Sequence, residues 1–394
     1  MDIISGLTDD LLLKVLSFLP TKVAVSTSIL SKRWECLWMW LTKLDYKSRY
    51  CSQSQCQSLR CFLDRNLPLH RAPVIESFRL DFAYAHLRPE DIKLWLVIAV
   101  SRYLRELEIS NFSYSLHGNL TPNILPNSLY ICKSLVTLKL DGDIVVDVPR
   151  MVCLPSLKTL ELRQMKHLDG ESLRRLLSIC PNLEDLWVDF RDSSTFMGMI
   201  TIIVPSLQSL SLRIPNEGYL YGLVISTPSL KYLKLEDYSE KNHSRLIENM
   251  PKLEDAYVDV RFLDMKNLIR SITSVKRLTL CLGAVYGDGF VFNQLEHLKV
   301  CVCKSHPSNL LVRLLEDSLN LRVLDIFQID DHDDYSSLVP PGPVPQCVLS
   351  SLKTFNWSGR PQERDLAVYI FEEHWFLMPK KKSKKRYRSL KDCN

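Results

Sequence analysis

The sequence contains little that would support catalysis. Only 12 of its 394 residues are glycine, and it holds no phosphate-binding G-x-x-x-x-G-K loop, no H-E-x-x-H helix and no G-x-S-x-G turn. The glycines of "GAVYGDGF", residues 283–290, are not followed by a clear helix, which favours a loop between structural units over a phosphate cradle. We therefore expect no enzyme activity, no catalytic residues and no cofactor.

Long apolar runs are also missing. The longest, residues 94–100, is far shorter than the roughly 18 residues that a membrane-spanning helix needs. The first ten residues, "MDIISGLTDD", carry acidic side chains where a secretory signal would carry basic ones. We expect a cytoplasmic or nuclear location, or both, and no membrane partner.

The 12 cysteines do not form a disulfide framework, because they are scattered through a long chain. In a reducing compartment such residues are usually small buried apolar groups. Two groupings could still suggest zinc: Cys51, Cys56 and Cys61 with His70, and Cys301 and Cys303 with His306. Neither has the paired C-x-x-C spacing typical of structural zinc, so we expect no metal site.

A basic folded surface is not indicated either. The formal net charge is +5, but residues 379–394 contain eight lysines and arginines against one aspartate, a local charge of +7. The rest of the chain is therefore at −2, and a nucleic-acid partner is not expected. The run "KKKSKKRYR" is either a solvated tail, which we favour, or a nuclear-import signal.

What the sequence does have is a dense helical segment at its start. Thr8 is placed to cap a first helix, Pro20 ends it, and Thr21 is placed to cap a second helix over residues 22–28. Ser31 precedes a third, in which apolar residues fall at i, i+3, i+4 and i+7: Trp34, Leu37, Trp38 and Leu41. So small a unit cannot bury three apolar stripes, so either a partner or the rest of the chain must cover part of them.

From residue 75 onward, a phrase of the form apolar-x-x-apolar-x-apolar recurs twelve times. The copies begin at residues 75, 104, 135, 157, 183, 207, 230, 253, 275, 295, 321 and 352. Their mean interval is about 25 residues, within the range of leucine-rich repeats. The alternation within each phrase predicts a strand, and helical patterns lie between phrases, for example from Asp169, Met265 and Ser308.

These patterns predict an α/β solenoid with a parallel β-sheet on the concave face and helices on the convex face. In each phrase the third, fifth and seventh residues should point outward, while the fourth and sixth enter the core. Exposed aromatic residues among charges are typical of binding surfaces, although neighbouring loops could equally cover them. The predicted target-binding residues are Asp185, Trp187, Asp189, Arg213, Tyr232, Lys234, Glu236, Asp255, Tyr257, Asp259 and Arg277.

The N-terminal segment "ISGLTDDLLLKVLSFLPTKVAVSTSILSKRWECLW" resembles a plant F-box. The resemblance implies that the three helices bind a Skp-type adaptor of a cullin-based ubiquitin ligase. One departure is Thr8, because the family usually has proline there, and an apolar contact with the adaptor is lost with it. The residues that match the motif, some expected on the adaptor face and others in the small core, are Leu7, Leu11, Leu12, Val15, Leu16, Leu19, Pro20, Leu30, Ser31, Trp34 and Leu37.

The repeats and the segment "VPQCVLSSLKTFNWSGRPQERDLAVYIFEE" resemble plant F-box proteins whose leucine-rich repeats end in an FBD region. From His374 the chain departs from that pattern. The expected organisation is an F-box at 1–45, a linker at 46–70, the solenoid at 71–343, a partial FBD-like cap at 344–373 and a divergent basic tail at 374–394.

The function that this resemblance implies is that of a non-catalytic substrate receptor in a ligase of the Skp-cullin-F-box type. The F-box would bind the Skp-type adaptor and, through it, the cullin, while the repeats would hold an unidentified protein target. The alternative is a leucine-rich scaffold or ligand sensor with no connection to ubiquitin. A further possibility is an isoform made unstable or dominant-negative by the altered C-terminus.

Overall fold

The structure is a computed structural model that describes residues 6–48, 53–83, 88–112, 123–165, 167–190, 196–216, 219–239, 244–260, 266–282, 290–301, 309–327 and 345–358. The helices are α1 (Asp9–Leu16), α2 (Thr21–Ser26), α3 (Gln53–Asn66), α4 (Pro89–Val100), α5 (Gly170–Ser178), α6 (Lys266–Ser271), α7 (Asn309–Glu316) and α8 (Gln346–Ser350). The strands are β1 (Lys43–Ser48), β2 (Ser77–Ala83), β3 (Glu106–Phe112), β4 (Asn123–Ile124), β5 (Thr137–Gly142), β6 (Ile144–Val145), β7 (Thr159–Met165), β8 (Asp185–Phe190), β9 (Phe196–Ile203), β10 (Ser209–Ile214), β11 (Tyr219–Ser226), β12 (Tyr232–Asp237), β13 (Ser244–Ile247), β14 (Asp255–Val260), β15 (Arg277–Leu282), β16 (His297–Cys301), β17 (Val323–Phe327) and β18 (Thr354–Ser358).

One parallel sheet of 13 strands runs through the molecule in the order β1-β2-β3-β5-β7-β8-β10-β12-β14-β15-β16-β17-β18. Twelve of these strands, β2 to β18, each begin two residues after the first residue of one of the repeated phrases. The prediction of an α/β leucine-rich solenoid is therefore confirmed. Successive strands pair in parallel and in register, as β10 does with β12, β12 with β14 and β14 with β15, and the pairing of β7 with β8 contains one register shift.

Strand β5 illustrates why the phrase folds in this way. Leu138 and Leu140 point inward and are buried, whereas Thr137 and Lys139 point outward and are half-buried. Leu135, at the start of the phrase, is also fully buried. Because the leucines of successive phrases pack on one another in a single continuous core, each repeat covers the apolar stripe of its neighbour.

The thirteenth strand, β1, lies in a segment expected to join the F-box to the solenoid. It pairs in parallel with β2, and α3 follows it, so the described residues of the predicted linker 46–70 lie largely in β1, α3 and a 3₁₀ helix at Leu67–Leu69. The phrase spacing is present here as well, in Leu41, Leu44 and Tyr46, all of them buried. These residues form a thirteenth copy of the repeated phrase, in which Tyr46 takes the place of the third aliphatic residue.

The N-terminal helices differ in detail from the prediction. Thr21 does not cap α2 but lies inside it, buried, and Pro20 takes the capping position. The predicted third helix is a series of turns followed by a 3₁₀ helix at Leu37–Trp40. An α-helix cannot continue there, because Leu41 already begins the extended segment that leads into β1.

The predicted helices of the convex side are present as α5, α6 and α7, but three repeats in the middle depart from this pattern. There the returning segments are β9, β11 and β13, which form a second parallel sheet. The sequences "FMGMITII" and "YLYGLVIS" explain it, since β-branched and aromatic residues with alternating burial favour strands over helices. Helices α5 and α6 contact the two edges of this sheet, at β9 and β13.

Several features named from the sequence lie outside the described residues. These are the loop at 283–289, the residues Cys51, Cys303 and His306, and the segment 359–394 with the basic run and half of the FBD-like region. Within the residues that are described, no helix is both long and apolar enough to cross a bilayer. The same residues include no group of three potential metal ligands.

Candidate interaction surfaces

The N-terminal helices bury one apolar stripe completely. Leu12 and Leu16 of α1 are fully buried, and Ala24, Leu37 and Trp38 pack with them in the same core. Residues i and i+4 lie on one side of a helix, so this stripe faces inward along the whole of α1. It holds the three helical segments together.

A second apolar stripe lies on the outside. Leu11 and Val15 of α1 are each 48% exposed, Phe18 just after the helix is 80% exposed, and Ile29 is 87% exposed. Adjacent helical residues are about 100° apart, so a stripe one residue before Leu12 and Leu16 points away from the core. We refer to this set as the N-terminal apolar face: Leu11, Val15, Phe18, Leu19, Val23, Ile29 and Leu30.

An arginine holds the start of α1 in place. Among the described contacts the Thr8 side chain makes no capping hydrogen bond. Instead, Arg33 forms an ion pair with Asp9, with 2.8 Å between Nε and Oδ1, and donates a hydrogen bond to the backbone carbonyl of Leu7. The acidic Asp9 also suits the positive end of the helix dipole.

The N-terminal apolar face has a fixed orientation relative to the large sheet. The Thr21 hydroxyl of α2 accepts a hydrogen bond from the backbone N–H of Asp45 in β1, at 2.8 Å. The backbone N–H groups of Glu76 and Ser77 donate to the carbonyl of Thr42, at 2.7 and 3.2 Å. These bonds join α2 to β1 and β1 to β2 without a flexible connection.

The predicted adaptor residues divide by burial. Six are exposed (Leu11, Val15, Leu19, Pro20, Leu30, Ser31), two are half-buried (Leu7, Trp34) and three are buried (Leu12, Leu16, Leu37). The buried three belong to the core and are not available to a partner in this structure. The predicted set omits Phe18, Val23 and Ile29, although Phe18 continues the helical spacing of Leu11 and Val15.

The second candidate surface is the outward side of the large sheet, which we call the strand face. Parallel pairing in register places its side chains in three rows across β8, β10, β12, β14 and β15. All eleven predicted target-binding residues lie in these rows. The rows are Asp185, Ser209, Tyr232, Asp255 and Arg277; Trp187, Ser211, Lys234, Tyr257 and Thr279; and Asp189, Arg213, Glu236, Asp259 and Cys281.

Cations and aromatic rings are paired on the strand face. The Arg163 guanidinium carbon of β7 lies 4.2 Å from the centre of the Trp187 ring, and the Lys234 Nζ lies 5.3 Å from the centre of the Tyr257 ring. Lys234 also forms an ion pair with Glu236, at 3.0 Å. Trp187 is still 38% exposed, so these contacts leave aromatic surface open to solvent.

Asp259 is not available to a partner, contrary to the prediction. It is only 4% exposed, and its carboxylate accepts a hydrogen bond from the Tyr238 hydroxyl, at 3.0 Å. Burial, reinforced by the charge of Asp259, raises the pKa of Tyr238 well above its ordinary value, so the hydroxyl stays protonated and donates. Tyr238 follows the end of β12 and covers Asp259, a contact that the spacing of the phrases does not reveal.

The N-terminal half of the strand face is occupied by ion pairs between its own side chains. Arg79 pairs with Glu108 at 2.7 Å, and Glu161 pairs with both Lys139 and Arg163, at 2.7 and 2.6 Å. Two of these ion pairs join neighbouring strands, and the pair between Glu161 and Arg163 lies within β7. The exposed aromatic side chains therefore concentrate on the central strands, from β8 to β14.

Comparison with known proteins identifies three matching regions. The F-box domain model matches residues 4–46, the model of the leucine-rich repeats of FBD-associated F-box protein At5g56370 matches residues 92–256, and the FBD model matches residues 340–373. A solved structure, of the Rad7 and Elc1 complex in yeast, matches with 14% identity over 87% of this chain and 90% of that one, but its TM-score of 0.32 is too low to equate the folds.

Curated relatives from Arabidopsis thaliana match over most of their length. FBD-associated F-box protein At4g10400 is 57% identical over 94% of this chain and 90% of its own, and FBD-associated F-box protein At5g38590 is 54% identical over 94% and 91%. F-box protein At4g09920 is 57% identical over 78% of this chain and 96% of its own. The chain therefore belongs to the FBD-associated F-box proteins, in which an F-box precedes leucine-rich repeats and an FBD segment.

Proposed function

We propose that the protein is the substrate receptor of a Skp-cullin-F-box ubiquitin ligase. In this role the N-terminal apolar face binds a Skp-type adaptor, and the adaptor connects the protein to the cullin. The strand face holds a target protein. The protein itself makes and breaks no covalent bond.

The observation that carries the proposal is the exposure of the N-terminal apolar face. Of the 24 large apolar side chains exposed in the described residues, seven lie between positions 11 and 30. A concentration of exposed apolar side chains of this kind is typical of protein interaction sites. The described part of the solenoid leaves this face uncovered, although β1 contacts the other side of α2.

The fixed join between the two surfaces supports a positioning role. Neighbouring strands lie about 4.8 Å apart. Strands β8 and β15 are five and nine strands from β1, the strand that contacts α2, so they lie roughly 24 and 43 Å from it along the sheet. A target held there keeps a set distance from the adaptor. Holding a target lysine near a charged conjugating enzyme raises its effective concentration, and that is the whole of the chemical contribution.

Affinity purification of the full chain from Arabidopsis cells tests the proposal. The wild-type protein should recover a Skp-type adaptor and a cullin, and Ile29→Glu should lose both, because it places a charge on the most exposed residue of the apolar face. Leu94→Glu is the matched control, since Leu94 of α4 is 56% exposed but lies outside the F-box. It should recover both proteins at the wild-type level.

Point variants are needed because a deletion of residues 1–45 would cut β1 in half and expose the edge of β2. If the wild-type chain recovers neither adaptor nor cullin, the proposal fails. A scaffold or sensor role for the repeats would then be the better description.

A further inference from the structure

Strand β10 forms a gap in the middle of the strand face. Its first two outward residues, Ser209 and Ser211, are small, whereas the strands on both sides carry large ones. Ser209 lies between Asp185 and Tyr232, and Ser211 lies between Trp187 and Lys234. With strands about 4.8 Å apart, the two walls are roughly 9.6 Å from each other.

We refer to this gap as the β10 slot. Its floor and walls are Ser209, Ser211, Asp185, Trp187, Tyr232 and Lys234. The separation of the walls is enough for one side chain of a partner to lie between them.

The cations near the slot are engaged on its outer sides. Arg163 stacks on Trp187 from β7, the strand on the far side of β8 from the slot. Lys234 reaches toward Tyr257 on β14, again away from β10, and its charge is balanced by Glu236. The space above the two serines is therefore not occupied by these neighbours.

Asp185 supplies a negative charge at one end of the slot. Its side chain takes a hydrogen bond from Thr159, and among the residues that the structure describes no cation is paired with it. The nearby Glu184 is already paired with Lys158, at 2.8 Å. Burial, with smaller contributions from the charges of Glu184 and Glu161, raises the pKa of the Asp185 carboxyl, and a cation beside it would stabilise its charged form.

The other wall and the far end restrict how a ligand can enter. Burial raises the pKa of Tyr232, so its hydroxyl is protonated. Tyr232 is 36% exposed and lies in the same row as Asp185, at the same end of the slot. Arg213 lies at the opposite end and stacks over Tyr238, with 5.8 Å to the ring centre. A cationic group is therefore attracted at the Asp185 end and repelled at the Arg213 end.

We infer that the β10 slot binds a lysine or arginine side chain of the target protein. The cationic head lies over Ser209, between the Asp185 carboxylate and the Tyr232 ring, and the aliphatic stem lies along Trp187. A carboxylate together with an aromatic face is the combination that recognises such groups. This inference rests on the proposed function, because it treats the strand face as the target surface.

A peptide selection tests the inference. A random twelve-residue display library is selected on the immobilised full chain, and the affinity of the selected peptides is then measured against variants. The wild-type chain should select peptides with lysine or arginine at one position. Asp185→Asn should weaken their binding about tenfold, the loss expected for one charge-assisted hydrogen bond, and Ser209→Trp should weaken it at least as much by filling the slot.

Thr137→Trp is the matched control. Thr137 occupies the same row as Ser209, three strands away on β5, and should leave peptide binding unchanged. The inference is overturned if no basic position is selected. It is also overturned if Ser209→Trp has the melting temperature of the wild-type protein and binds the selected peptides equally well. Should Ser209→Trp fail to fold, Asp185→Asn decides the question alone.

The design separates this inference from the proposed function. Ile29→Glu, which alters only the N-terminal apolar face, should bind the selected peptides as the wild-type chain does. A wild-type chain that binds the selected peptides but recovers no adaptor would count against the ligase role and leave the slot standing. If the wild-type chain binds the adaptor but selects peptides with no lysine or arginine position, the inference about the slot fails and the proposed function stands.

Discussion

Replacing Leu44 by alanine should destabilise the F-box and the solenoid together. Leu44 lies in β1, is 1% exposed and pairs in register with Phe78 of β2, itself fully buried. Removing a leucine side chain from a packed core costs about 2 to 5 kcal/mol. Because β1 is bonded both to α2 and to β2, the loss should extend to both sides of the strand.

Denaturant unfolding and hydrogen exchange of the full chain measure this effect. Leu44→Ala should lower the free energy of unfolding by the amount given above, and it should speed amide exchange in α1 and in β2 alike. Leu69→Ala is the control, because Leu69 is 53% exposed and its loss should change stability by about 0.5 kcal/mol or less. Faster exchange in α1 with β2 unchanged would refute the view that β1 makes the two parts one unit.

Three further predictions concern stability. His70 is 3% exposed, and burial lowers its pKa from 6.5 to about 4. The unfolded chain therefore binds the proton at higher pH than the folded chain, and the free energy of unfolding should fall by about 3 kcal/mol as the pH drops from 6.5 to 4. In unfolding measured against pH, His70→Gln should show a shallower fall. Arg245→Met should cost about 3 to 5 kcal/mol in denaturant unfolding, because it leaves the fully buried carboxylate of Asp237 without its cation. Asp169→Ala should cost about 1 kcal/mol, measured as a lower melting temperature, because the Asp169 side chain caps α5 by accepting the Ser172 N–H at 2.7 Å.

The repeated phrase was sufficient to predict twelve strands and their inward residues, because a leucine at every second or third position suits only one side of a strand. It missed β1, where Tyr46 replaces the aliphatic third residue and where the F-box resemblance drew a boundary. It also missed β9, although Ile200 and Ile202 alternate with exposed or half-buried neighbours. Helices were expected there by analogy with other repeats, and the alternation itself was the better guide.

The candidate surfaces were only partly predictable. Helical spacing places Leu11 and Leu12 on adjacent stripes of α1, but which of the two faces inward depends on where the 3₁₀ helix at Leu37–Trp40 packs. Likewise, the phrase places Asp259 on the outward side of β14, and only the folded chain brings Tyr238 over it. Such contacts join residues whose relation the sequence periodicity does not encode.

The affinity of the full chain for a purified Skp-type adaptor tests the central claim most directly. Leu11 and Val15 are each about half exposed and Phe18 is 80% exposed. If burying a whole apolar side chain contributes about 2 kcal/mol, covering what these three expose contributes about 3.5 kcal/mol. Each tenfold change in Kd corresponds to about 1.4 kcal/mol, so the triple variant Leu11→Ala, Val15→Ala, Phe18→Ala should bind the adaptor several hundredfold more weakly by calorimetry. Its melting temperature should be unchanged. Equal affinity of the variant and the wild-type chain would contradict the account.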